Sequence, residues 1–211
     1  AELFGFERGN WFERVRAAEA PGPLGHIGPY HLLEEVGRGG QGVVFRAIQP
    51  GTGRTIAVKR LLGGSFASPS SLQRFQREAE AAAALVHPGI VTVHGVEFID
   101  GSPLLAMEWV DGVPLTDWAF GRPRAEVLRA YLQVCEAVQH AHQHGVLHRD
   151  LKPANVMMDT SGRPRLLDFG LAKLPDAGGP ALTVSGAFLG TPAYAAPEQL
   201  RGEPADVRTD I

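Results

Sequence analysis

Cysteine is almost missing from this sequence: Cys135 is the single one in 211 residues. One thiol excludes an internal disulfide and a multi-cysteine zinc site, and it fits a reducing compartment. No apolar run approaches the roughly 20 residues of a membrane-spanning helix, and no charged-then-apolar leader opens the chain. An excess of one charge is lacking too. Twenty Lys and Arg against 23 Asp and Glu leave a net charge of -3, with the basic residues scattered. That gives no electrostatic footprint for nucleic acid. The expectation is a cytoplasmic location, or the cytoplasmic part of a membrane-anchored protein, with no membrane contact within this segment and no nucleic-acid partner.

What is present is a globular composition, 44% hydrophobic and 20% charged, large enough for one large or two small cores. The chain starts at Ala1 and reads as a piece of a longer one. Residues 1–29 read as an extension and linker: a weakly amphipathic stretch around Trp11, Phe12 and Val15, then Pro21, Gly22, Pro23, Gly25, Gly28 and Pro29. From Tyr30 the pattern is mostly strands, at 30–36, 43–47, 55–61, 91–98 and 104–108. One helix interrupts it, from Ser68-Pro69 to about Val86, with Leu72, Phe75, Ala79, Ala82 and Val86 on one stripe. After Gly112 the signal turns helical. It is clearest from Pro123 to His144, where Leu128, Tyr131, Leu132, Cys135, Val138 and His142 recur at helical spacing before Gly145. Two lobes of α+β class are implied. On this stripe Cys135 is expected to be a small core hydrophobe.

Chemistry is concentrated in a few strings. Gly37, Gly39, Gly42 and Val44 fit G-x-G-x-x-G-x-V, which lets backbone approach phosphates without Cβ interference. The strand-like Val43-Val44-Phe45 that follows favours a hairpin over a dinucleotide-binding turn, and an ordinary tight turn is the bland alternative. Lys59 ends an apolar strand where a cation can reach phosphate oxygens, or it is a strand-terminal surface lysine. Glu78 flanks the apolar stripe of the interrupting helix, so pairing with Lys59 would satisfy both; a solvated helix-edge glutamate is the alternative. His148-Arg149-Asp150-Leu151-Lys152-Pro153-Ala154-Asn155 is the most specific string. There Asp150 can accept a hydrogen bond from an attacking hydroxyl, Lys152 can neutralise a transferring phosphoryl group, and Asn155 can offer oxygen to a hard cation. Asp168-Phe169-Gly170 supplies a second oxygen ligand. His140, His142, His144 and His148 lack a local carboxylate or cysteine that would complete a metal site.

Together with Ala196-Pro197-Glu198, these strings in this order make the chain resemble the eukaryotic-type serine/threonine protein kinases, in particular their bacterial branch. The resemblance covers residues 30–211. It implies an N-lobe at 30–107, consisting of a small antiparallel sheet with one helix, a hinge at 108–112, and a mainly helical C-lobe from 113 that is incomplete. The implied activity is transfer of the γ-phosphate of MgATP to Ser or Thr hydroxyls of proteins, with magnesium, or manganese, held by Asn155 and Asp168. Catalytic positions would be Asp150, Lys152, Asn155, Lys59 and Glu78. Nucleotide positions would be Gly37, Gly39, Gly42, Lys59 and Asp168. For adenine, Met107 would be gatekeeper, the Glu108 carbonyl and Val110 amide would hold the ring, and Val36, Val44, Ala57 and Met157 would sandwich it. Thr191 would link to Asp150 and Lys152, and Asp210 would tie down the loop around Asp150. Thr183 and Ser185 are expected sites of regulatory autophosphorylation, through self-association, with Arg149 and Lys173 as partners for the phosphate. The alternatives are a pseudokinase or nucleotide-binding scaffold, a small-molecule phosphotransferase, and an inactive fragment of an active kinase.

Overall fold

The computed structural model describes residues 24–39, 42–61, 69–169 and 192–211. Strands β1 (His26–Ile27), β2 (Tyr30–Gly39), β3 (Gly42–Ile48), β4 (Thr55–Leu61), β5 (Val93–Ile99) and β6 (Ser102–Glu108) form one antiparallel sheet in the order β1-β2-β3-β4-β6-β5. Helix α1 (Pro69–Ala83) lies between β4 and β5 in sequence. Beyond β6 come β7 (Gly112–Pro114), helix α2 (Leu115–Ala119), helix α3 (Arg124–Gln143), β8 (Val156–Asp159), β9 (Pro164–Leu166) and helix α4 (Pro197–Arg201), with β7-β8-β9 forming a second sheet. His26 and Ile27, within the stretch expected as linker, therefore already form β1, whose pairing is extended by a Leu24 N–H bond to the Leu32 carbonyl.

Period-two alternation divides the large sheet into two faces. Ile56, Val58, Leu104, Ala106 and Ala47 pack with Tyr30 and Leu32 on one side. Ala57, Leu61, Leu105 and Met107 line the other, with Phe75, Ala79 and Ala82 of α1 closing over them. Phe75 is wholly buried, worth about 2–3 kcal/mol in apolar burial. Val86, expected on the same stripe, is exposed because α1 ends at Ala83, and Leu85 fills the core in its place.

Helix α3 corrects the expected stripe. It buries Ala130, Val134, Ala137, Val138 and Ala141, whereas Leu128, Tyr131, Leu132 and Cys135 are exposed. The helix has apolar residues on two faces, and the one made of alanine and valine is turned inward, where small side chains let the helix lie close to β9. Cys135 is thus a surface thiol. Among the described residues, no helix is long and apolar enough to cross a membrane.

Candidate active site

Helix α3 stops in a way that aims the next residues. Gly145, at φ 74°, takes the left-handed conformation; its N–H bonds the His142 carbonyl while the Val146 N–H bonds that of Ala141. This paired closure suits glycine after a helix C-cap. Buried Val146 then leads into His148, which is 1% exposed. The His148 Nε2 donates to the Leu167 carbonyl at 2.8 Å, and Nδ1 accepts the Asp150 N–H at 3.2 Å. The ring therefore carries one proton, and burial holds its pKa below the ordinary histidine value. Arg149 follows at φ 61°, a conformation costing a side-chain-bearing residue about 1–3 kcal/mol. Asp210 offsets that strain. Its fully buried carboxylate accepts the His148 N–H at 2.7 Å and the Arg149 N–H at 2.6 Å, and it meets His142 Nε2 at 2.9 Å.

The residues this loop delivers are bonded to one another. Asp150 Oδ2 lies 3.0 Å from Lys152 Nζ and accepts Asn155 Nδ2 at 3.1 Å; the same amide also donates to the Asp150 carbonyl at 2.8 Å. Both Asp150 and Asn155 are buried. The Asn155 carbonyl in turn accepts the Leu167 N–H, joining the loop to the strand that leads to Asp168. Asp168 stands at φ 55°, so two left-handed residues that are not glycine flank the site.

From the sheet side, Lys59 reaches in. It pairs in register with Val44 and Leu105, is 6% exposed, and places Nζ 2.9 Å from Asp168 Oδ2. That burial removes the reading of Lys59 as a surface lysine. The expected Lys59–Glu78 pair is not formed. Glu78 instead accepts Arg149 Nη1 through both carboxylate oxygens, at 2.8 and 3.1 Å. Each charge still has an opposite partner: Lys59 has the Asp168 carboxylate, and Arg149 offers Glu78 a charge-assisted bond from across the cleft. A cavity of about 110 Å³, lined by Glu78, Ala81, Val146, Leu147 and Phe169, separates α1 from the loop there.

The three loop glycines differ. A Cβ on Gly42 would meet the Arg60 carbonyl oxygen at 2.3 Å, so β3 needs glycine there simply to pair with β4. Cβ atoms on Gly37 and Gly39 would meet nothing within 4 Å among the described residues, so neither position is crowded by them. Further along the same sheet, Ala57 pairs with Met107, both buried, and Val36 and Val44 are half-buried on β2 and β3. Val110 is buried, Glu108 half-buried, and Met157 lies half-buried on β8.

Several contacts had no signature in the sequence. Arg165 Nη2 meets Glu108 Oε2 at 2.5 Å. The Arg46 guanidinium lies 5.4 Å from the Trp109 ring centroid, which braces the residues after β6 from β3. Gln199 Nε2 donates to the Arg149 carbonyl at 2.7 Å, and Glu198 Oε1 accepts the Thr209 hydroxyl at 2.6 Å, so α4 is tied both to the loop and to the residues around Asp210. An arginine alternating with buried Pro164 and Leu166 in β9 was the one available hint of the first contact. Lys173, Thr183, Ser185 and Thr191 lie outside the described residues.

Comparison with known proteins places this geometry. The family profile described as "Protein kinase domain" matches residues 30–211. A probable serine/threonine-protein kinase of Streptomyces coelicolor is 38% identical over 200 residues, covering 92% of this chain and 29% of that protein. Serine/threonine-protein kinase Pkn1 of Myxococcus xanthus is 40% identical over 201 residues, with the same coverage of 92% and 29%. The chain thus spans less than a third of the length of these relatives. A crystal structure of a point mutant of the Mycobacterium tuberculosis PknI kinase domain superposes with a TM-score of 0.70 at 35% identity, covering 88% of this chain and 70% of that one.

Proposed function

The chain belongs to the protein kinase family, and on that premise we propose that the residues between its sheet and helix α3 transfer the γ-phosphate of MgATP to serine or threonine hydroxyls of proteins. The observation that carries this reading is the Asp150 carboxylate, held between the Lys152 ammonium and the Asn155 amide. A hydroxyl entering there donates its proton to Asp150 as its oxygen bonds to phosphorus and the bond to the leaving nucleoside diphosphate breaks. Lys152 offsets the charge on the transferring group. Asn155 turns its N–H side to Asp150, the orientation that presents its oxygen to a cation, and Asp168 adds a carboxylate; this oxygen-only set suits magnesium or manganese. The bound metal would supply charge neutralisation along the phosphates. With no Cβ at Gly37 and Gly39, and no described atom within 4 Å of where one would stand, phosphate oxygens can approach the backbone there. Ala57, Val36, Val44 and Met157 flank the adenine, with Met107 behind it and the Glu108 carbonyl and Val110 N–H holding its edge.

The Glu78–Arg149 and Lys59–Asp168 pairs describe a resting arrangement in this reading. Working geometry requires Lys59 to turn to phosphate and Glu78 to leave Arg149 and hold Lys59 there. Phosphorylation of Thr183 or Ser185 would favour that exchange by giving Arg149 an anionic partner, and self-association would bring those residues to a second copy's site. A cytoplasmic setting, where ATP and protein hydroxyls meet, completes the proposal.

The test is transfer of labelled phosphate from ATP by the full-length protein, to itself and to a generic basic protein. Asp150→Asn is expected to lower the rate by about 10³-fold while nucleotide still binds. A folded wild-type protein that binds nucleotide and transfers nothing would mean a scaffold.

A further inference from the structure

The hinge and the strand leading to Asp168 are stitched together by one side-chain pair outside the roles assigned above. Segment 89–92 runs between them: the Leu166 N–H bonds the Gly89 carbonyl at 2.8 Å, the Val91 N–H bonds that of Leu166 at 3.0 Å, and the Glu108 N–H bonds that of Thr92 at 2.9 Å. Arg165 and Glu108 span this seam. Arg165 Nη2 meets Glu108 Oε2 at 2.5 Å, and its contact with the Ile90 carbonyl is longer, at 3.4 Å. The same carboxylate oxygen accepts the Thr92 N–H at 3.2 Å. The Arg165 side chain is only 14% exposed, and its Nε is buried with no partner among the described residues. Desolvation on this scale has been accepted for the bond to Glu108. Arg165 also stands opposite Met157 in the β8–β9 register, on the face assigned to adenine, and three residues before Asp168.

We propose that Arg165 and the Glu108 carboxylate are a positioning pair that fixes the adenine-holding hinge relative to Asp168, so that the two ends of the nucleotide are bound in register. Neither side chain touches the reacting atoms. The pair acts through the Glu108 backbone at one end and the β9 backbone at the other. This rests on the MgATP reading above.

Adenosine reports the hinge alone, whereas MgATP must satisfy the hinge and Asp168 together. Dissociation constants for both, measured on the full-length protein and on Arg165→Leu, Arg165→Lys and Glu108→Gln, separate positioning from general support. Arg165→Leu should weaken MgATP by about fivefold and adenosine by less than about twofold, since one partly buried charge pair is lost. Arg165→Lys should recover most of the difference. Glu108→Gln keeps an acceptor for Thr92 and should repeat the Arg165→Leu result, which preserves the test if the leucine variant does not fold. An unchanged MgATP-to-adenosine ratio in the folded variants, or equal weakening of both ligands, overturns the pair as a positioning device. A wild-type protein that binds neither ligand overturns the MgATP reading, and the pair's role with it.

Discussion

The large-lobe half of the site, residues 148–155, and the small-lobe half, Lys59 and Glu78, are held in different ways. In the first, the groups that matter are bonded to neighbours within a few residues, and Asp210 clamps the backbone beneath them. In the second, the two charges are committed to carboxylate and guanidinium partners across the cleft, and a cavity lies behind Glu78. One half is fixed by short-range bonds and the other by ion pairs that cross the cleft. In the proposed reading, the rearrangement therefore falls to the sheet side.

The sharpest way to break that contrast is to remove the clamp. Asp210→Ala leaves two backbone N–H groups and His142 without their acceptor and should cost about 3–5 kcal/mol in urea unfolding. A loss below about 1 kcal/mol would mean the loop holds itself. On the sheet side, Gly42→Ala should cost about 2–3 kcal/mol, because a Cβ meets backbone, while Gly37→Ala should leave the melting temperature almost unchanged and weaken MgATP instead. Equal destabilisation by the two would erase the distinction between hairpin and phosphate glycines.

Smaller effects sharpen the picture. Arg149→Asn keeps a residue tolerant of positive φ and frees Glu78, so unphosphorylated protein should bind MgATP about threefold more tightly, a gain limited because the pair is partly exposed. Weaker binding would show that Arg149 supports the site instead of restraining it. The smallest effect is in pH. His148, held neutral by burial, has a folded pKa below the ordinary 6.5, so the unfolded chain takes up more protons just below that value. Its contribution is complete above pH 6.5 and is lost as pH falls toward the folded pKa. His87, lowered by burial and by His140, acts in the same direction. Melting temperature should decline from pH 7 to 5.5; a rise would contradict a neutral His148.

Legibility in the sequence followed the same division. The string from His148 to Asn155 could be read because its groups are contiguous, and its members do meet. The strands from Tyr30 to Glu108 and α1 were readable from period and turn residues, since local pattern and burial agree there, whereas the two-residue β1 and three-residue β7 are too short to show a period. The partner of Glu78 was not, because two cations lie within reach and a sequence does not choose between conformers. Cys135, expected in the core, lies outside it: α3 has apolar residues on two faces, so hydrophobicity did not say which face is inside. Arg165 and Glu108, 57 residues apart, share no motif and meet only through the tertiary seam.

The clamp by Asp210 also bears on the order in which the protein becomes competent as it is made. Its carboxylate reaches back 62 residues to His148. Long-range closures of this kind form late, after their loop entropy has been met. Until residue 210 has emerged from the ribosome, the left-handed turn at Arg149 lacks the carboxylate that accepts its N–H and that of His148, so the loop is expected to take its final shape after the sheet and helix α3 that precede it.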